Sequence, residues 1–313
     1  MRRPIPGILI ALTLFASLPL TALVQSTPVP SPSTGTSEVG IVINTSVINI
    51  RDCPRSDCAS ISGVNLGEAL EVLGPPENGF LPVRHGKDQG WAYYLFIASS
   101  YTGTPTLTEG EPGCKRVALI FNVGVGEPGA GLSWDVINAL ENGQVPATIF
   151  VQSWWAAYYP AYVADFANRG FVIGTHGDAD LELADRTTAD VMTDIAGSTA
   201  EIDTALGSPG ASDPIFTPSS TEADVRVLSM IAFAGYLPVI WGVDSEDLAD
   251  NATADSVTNQ VLENVYDGAI VQMHLDAANS TGVTATALPG IITSLKSDGY
   301  TFVTIPEMAL PCA

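Results

Sequence analysis

Over residues 114–312, short apolar runs alternate with stretches of helical period. The runs cover 117–121, 147–151, 171–174, 215–217, 237–241, 269–273 and 302–304. Each has strand length and reads as a buried strand. Segments 133–141, 161–169, 190–206 and 222–234 carry apolar residues at helical spacing and read as helices. Strand and helix in alternation predict a parallel α/β sheet or barrel, whose chemistry sits where strands end and loops begin.

The first hundred residues follow a different pattern. Arg2 and Arg3 precede an apolar run over 8–24, and Val24-Gln25-Ser26 offers small residues for cleavage. This predicts an export signal over 1–26, shorter in its apolar part than the ~20 residues of a membrane span. Residues 27–37 (TPVPSPSTGTS) read as an extended linker. Over 38–97 come short β-type runs separated by Gly, Pro and Asn turns, the pattern of a small β domain. A second linker covers 98–113, and the α/β domain fills 114–313.

Composition narrows the classes. Hydrophobic residues make up 46% of the 313, enough for a packed core. The net charge is −22, from 34 acidic and 12 basic residues. This opposes nucleic acid or anionic lipid as a partner, because phosphates favour clustered Lys and Arg. Beyond the signal segment no stretch predicts membrane association. The four cysteines are Cys53, Cys58, Cys114 and Cys312, and an even count in an exported chain predicts two disulfides. Cys53 with Cys58 would staple a local loop, and Cys114 with Cys312 would tie the α/β domain's start to its end; the other pairings remain open.

The ends of the predicted strands collect the polar residues. After the first stand Asn122 and Val123, and after the third Thr175-His176-Gly177-Asp178-Ala179-Asp180. Thr217-Pro218-Ser219-Ser220 follows the fourth, Trp241-Gly242-Val243-Asp244 the fifth, and Met273-His274 the sixth. His176 and His274 are the domain's only histidines, and both stand at strand ends, which points to a functional rim. Beyond the second strand, Ser153-Trp154-Trp155-Ala156-Ala157-Tyr158-Tyr159 reads as an aromatic loop. Its rings suit stacking on sugar faces, and equally plain packing.

These segments resemble, in order and spacing, the motifs of the NodB-type polysaccharide deacetylases, carbohydrate esterases with a distorted (β/α) barrel. KRVALIFNVG, PATIFV, GFVIGTHGDAD, PIFTPSST, VIWGVDSEDL, GAIVQMH and GYTFVTIPEM carry the resemblance over about 114–310. Val47-Ile48-Asn49-Ile50-Arg51, 67–73 and Gly90-Trp91 resemble a bacterial SH3-like β barrel. The first resemblance implies amide hydrolysis by a divalent metal, usually zinc, held by one aspartate and two histidines. A second aspartate would be the general base, tuned by an arginine, and a late histidine the general acid, oriented by an aspartate.

On this chain the implied pattern splits. Asn122 stands at the base position, Val123 at the first ligand position and Thr217 at the arginine position. His176 is intact, and Asp180 replaces the third ligand. His274 keeps the acid position, with Asp244 as its expected partner. Trp154, Trp155, Tyr158 and Ser220 are the candidate sugar contacts. An amide cannot take a proton at neutral pH and a valine has no lone pair. The expectation is therefore an exported, catalytically degenerate homologue that binds cell-wall or extracellular polysaccharide, with no cofactor or at most a weak zinc site. The rival is a working metal-dependent hydrolase of N-acetyl groups with unusual ligands.

Overall fold

The computed structural model describes residues 38–125, 132–178, 183–218, 224–275 and 280–312, apart from the side chains of 280 and 281. The predicted signal segment 1–26 and linker 27–37 lie outside the described residues, as do Asp180 and Ser220. Among the described residues no helix is long and apolar enough to cross a membrane.

The N-terminal unit comprises β1 (Glu38–Val42), β2 (Val47–Arg51), β3 (Ser60–Asn65), β4 (Ala69–Val72), β5 (Phe80–His85), β6 (Asp88–Tyr93) and β7 (Ile97–Ala98). They form one antiparallel sheet in the order β3-β2-β6-β5-β4-β1-β7 around Ile50, Leu81, Val83 and Ile97. Asn44, φ 61°, leaves this sheet to meet the second unit. Its Nδ2 donates to the carbonyls of Leu95 (2.7 Å) and Pro105 (3.0 Å), and its backbone N–H donates to Ala232 (3.1 Å).

The second unit alternates strand and helix: β8 (Arg116–Val123), α1 (Trp134–Gly143), β9 (Thr148–Val151), α2 (Ser153–Tyr158), α3 (Pro160–Asn168), β10 (Val172–Thr175) and α4 (Thr188–Leu206). There follow β11 (Ile215–Phe216), α5 (Val225–Phe233), β12 (Leu237–Pro238), β13 (Val243–Asp244), α6 (Ala254–Asn264), β14 (Ala269–His274), α7 (Ser280–Ser297), β15 (Thr301–Phe302) and α8 (Ile305–Met308). The sheet is parallel and ordered β12-β11-β10-β9-β8-β14-β13, with β15 also on β8. Its curl fits a distorted (β/α) barrel.

Capping chemistry sets several helix starts. The Thr187 hydroxyl accepts from Asp190 N–H at α4, and the Asp224 carboxylate from Arg226 N–H at α5. Thr253 and Thr304 open α6 and α8 with reciprocal capping boxes. Two expectations differ from the structure. Residues 153–158 are helical rather than a loop, because Gln152 and the following residues continue into i→i−4 bonds. The run 237–241 is a strand only at Leu237–Pro238, and Trp241 turns inward to pack with Ile120 and Phe150 in the barrel interior.

Two cores lie on opposite faces of the sheet. Leu119, Phe121 and Val123 of β8 join the apolar faces of α1, α3, α6 and α7. Ala118 and Ile120, one residue out of phase, face the interior with Phe150, Trp241, Leu107 and Ile305. Cys53 is bonded to Cys58 and Cys114 to Cys312, with Cα separations of 5.7 and 5.9 Å. The second closes a span of 198 residues around the whole barrel. In the chain-entropy model a loop that long contributes about 5 kcal/mol, against about 2 kcal/mol for a five-residue one. Cys312→Ser is therefore expected to lower the denaturation midpoint more than Cys58→Ser, as followed by tryptophan fluorescence in urea. Equal losses would contradict this.

Candidate functional site

The same alternation that divides the cores places the polar side chains. Asn122 follows Ala118 and Ile120 on the interior face of β8, and Gln272 and His274 follow Ile270 on β14. The ladder continues past β9 and β10, because Gln152 N–H donates to Val123 (2.9 Å) and His176 N–H to Val151 (2.9 Å). Thr217 N–H donates to Thr175 (3.0 Å). Asn122, Gln152, His176, Thr217, Gln272 and His274 thus gather at the C-terminal rim, all buried.

The carboxylate on His274 is that of Asp247. Asp247 Oδ1 accepts from His274 Nδ1 at 2.7 Å, and its Oδ2 accepts from His274 N–H at 2.9 Å and from Thr284 Oγ1 at 2.6 Å. A carboxylate only accepts, so His274 Nδ1 carries a proton and donates it to Asp247. Asp244, the expected partner, is exposed instead, and its Oδ1 accepts from Glu246 N–H at 2.8 Å. The difference is geometric: Asp244 ends β13 exposed, whereas Asp247, beyond the turn at Glu246 (φ 57°), is wholly buried. Asp247 stands in the same VIWGVDSEDL segment, so the signal was present in the sequence.

His176 Nδ1 donates to the Thr217 carbonyl at 2.9 Å, which fixes the ring's tautomer and orientation. The Thr217 hydroxyl donates to Val239 at 3.0 Å. It is a satisfied interior group with no charge to tune a neighbour. Val123 is wholly buried and shares the outer core with Val151 and Trp155.

Among the described residues, the donor set does not fit a resident catalytic metal, and Asp180 lies outside them. A catalytic zinc takes three protein ligands, and here one position is a buried alkyl group. Among the described residues, two groups of three His, Cys, Asp or Glu are close enough to share an ion. They are Asp52 with Cys53 and Cys58, and Glu111 with Cys114 and Cys312, and in both the sulfurs are tied in disulfides. Asn122 itself is fully buried, and neither its Oδ1 nor its Nδ2 has a hydrogen-bond partner among the described residues.

The aromatic segment divides along α2. Trp155 is 3% exposed and stacks on Phe166 with ring centroids 6.1 Å apart, so it is core and not a sugar contact. Tyr158 is 68% exposed. Trp154 is half-buried, and its Nε1 donates to Gln152 Oε1 (2.6 Å) and to the Gly124 carbonyl (3.0 Å). Its indole also lines a cavity of about 500 Å³ between α2 and α4, with Asp178, Arg186, Asp190, Asp194 and Glu201. Burial pushes the Asp194 carboxyl above its usual range, against the Asp178 N–H that donates to it at 3.2 Å.

The polysaccharide deacetylase family model matches residues 109–239. A peptidoglycan-N-acetylglucosamine deacetylase of Bacillus cereus is 30% identical over 193 residues, which are 62% of this chain and 68% of that protein. The chain belongs to the polysaccharide deacetylase family. The peptidoglycan-N-acetylglucosamine deacetylase PgdA of Listeria monocytogenes is 31% identical over 195 residues, and there this chain spans 39% of the relative's length. BA3943, a CE4 family pseudoenzyme from Bacillus anthracis, has a crystal structure that matches with a TM-score of 0.59 at 19% identity. The match covers 85% of this chain and 90% of that one, a likeness of fold.

Asp247 gathers three donors in a dry site, so its removal leaves His274 and Thr284 unpaired. Asp247→Ala is expected to cost about 3 kcal/mol or more in urea unfolding. Asp244→Ala is expected to stay within about 0.5 kcal/mol. The reverse order would return the pairing to Asp244.

Proposed function

We propose that this chain is an exported, catalytically degenerate polysaccharide deacetylase homologue that binds cell-wall or extracellular polysaccharide and leaves its amides intact. The observation that carries this reading is the buried Asn122-Val123 pair at the end of β8. Asn122 has no basic lone pair for activating water, and Val123 offers none to a metal. Loss of a general base alone lowers a rate by about 100- to 10,000-fold. The Thr217 side chain, occupied by Val239, adds no cation that would call for a carboxylate beside it. The relatives' names supply the substrate class: two of them are deacetylases of peptidoglycan N-acetylglucosamine.

Export follows from the basic start, apolar run and small-residue site over 1–26. It places the protein outside the cell or on its surface. The N-terminal sheet would act as an SH3-like module, which suits a wall peptide as second contact. Exposed Tyr158 and half-buried Trp154 are the aromatic contacts retained for sugar. One observation favours the rival reading of a working hydrolase: His274, held by Asp247, keeps the arrangement of an oriented acid.

The two readings part in one experiment. The full chain is incubated with purified peptidoglycan and with chitotetraose, with and without zinc, and both acetate release and co-sedimentation are measured. Sedimentation with peptidoglycan and no acetate above the protein-free control is the expected outcome. Acetate release that His274→Ala abolishes would establish the hydrolase instead.

A further inference from the structure

The segment expected as a second linker is fastened to the barrel, and it walls a cavity at the seam with the N-terminal sheet. Leu107 N–H donates to the Pro238 carbonyl and Ile240 N–H to that of Leu107, both at 2.9 Å. Gly110 N–H donates to the Gly268 carbonyl at 2.9 Å. A Cβ at Gly110 would run into Met308 Sδ, so glycine lets the segment lie this close. Across from it, Tyr93 and Tyr94 at the end of β6 stand with ring centroids 5.2 Å apart, edge to face. The Asn78-Gly79 turn packs on the Tyr93 ring, and a Cβ at Gly79, φ 77°, would stand 2.9 Å from it.

The cavity between these walls has a volume of about 260 Å³, and Tyr93, Tyr94, Leu107, Glu109, Glu111 and Met308 line it. Among the described residues no Lys or Arg does so. Both carboxylates are exposed. Glu111 Oε2 accepts from Cys312 N–H at 2.9 Å, and Glu109 is in no ion pair among the described residues. Arg116, the cation that acts on Tyr93, is buried and donates to the carbonyls of Glu307 and Leu310 at 3.0 Å each. Burial first, and then neighbouring negative groups including Glu111, push both phenols above their ordinary range, so both rings stay neutral.

We propose that this seam cavity binds the primary ammonium side chain of a lysine-type residue in a peptide. Aromatic faces attract a cation, and the two carboxylates accept its N–H donors. The alkyl stem lies against Leu107, Met308 and the rings, as lysine stems do on apolar surface. An anion would meet two like charges, and an amino sugar would set its hydroxyls against an apolar wall. The cavity is at the opposite end of the barrel from the polar rim: Gly110 meets Gly268, just before β14, and His274 ends that strand. The inference goes beyond the reading of the chain as a glycan binder and does not rest on it.

Saturation-transfer NMR titrations of the full chain test this, with a capped Ala-Lys-Ala peptide, its Nε-acetylated form and glucosamine as probes. The lysine peptide is expected to bind at least about tenfold more tightly than the acetylated one, the value of a hydrogen bond to a charged group. Glu109→Gln is expected to erase that difference. Glu201→Gln, an equally exposed carboxylate on α4, is expected to leave it unchanged. Equal affinity for the two peptides overturns the proposal, and so does binding of neither. An equal loss in both variants overturns it too, because it marks only a general attraction to an acidic chain. Glucosamine binding as tight as the lysine peptide's, and lost in Glu109→Gln, replaces the peptide with an amino sugar.

Discussion

β8 and β14 pair in parallel from Val117 against Ala269 through Asn122 against His274, and this register fixes what faces what at the rim. A slip of one residue would carry Asn122 and His274 into the helix layer and bring Phe121 and Met273 inward. The register is held because both faces are apolar and dry: Leu119 and Phe121 on one side, Ala118 and Ile120 on the other. Every polar group at the rim inherits its position from that ladder. Asp247 meets His274 where β14 ends, and His176 meets Thr217 where the ladder continues past β10.

The residues at the rim form a set that agrees with itself. In a dry site a carboxylate needs a cation or several donors, and two adjacent carboxylates need more. Asn122, Val123 and Thr217 remove the charge at each of the positions where the family resemblance implies aspartate, aspartate and arginine. Among the described rim residues no buried charge is then left unpaired. Where a carboxylate stays, at Asp247, three donors surround it. The fold tolerates the change because its packing comes from the apolar layers.

Much of the barrel was legible in the chain. Apolar runs such as 117–121 and 269–273 are buried on both faces, so they lack alternation but have strand length and turn boundaries. They became β8 and β14 with ends within two residues of the expectation. Helix α2 was missed, because Trp and Tyr in a short segment give no clear period and the helix is closed by Pro160. Helices α6 and α7 also went unread, the latter through its Gly, Thr and Pro content. At the site, residue identity showed which chemistry was absent, but not which carboxylate sat on His274. That pairing depends on a turn after β13, and two aspartates three apart cannot be separated by pattern alone. Gln152 was invisible for another reason. A single glutamine beyond a strand carries no signal until its burial and its indole partner are known.

Zinc titration of the purified full chain by calorimetry, beside His176→Ala, tests the central claim that the rim has lost its metal chemistry. With Val123 in a ligand position, the account predicts no stoichiometric binding at micromolar zinc and no difference between the two proteins. One zinc per chain at micromolar affinity, abolished by His176→Ala, would contradict it and restore the site as a metal centre.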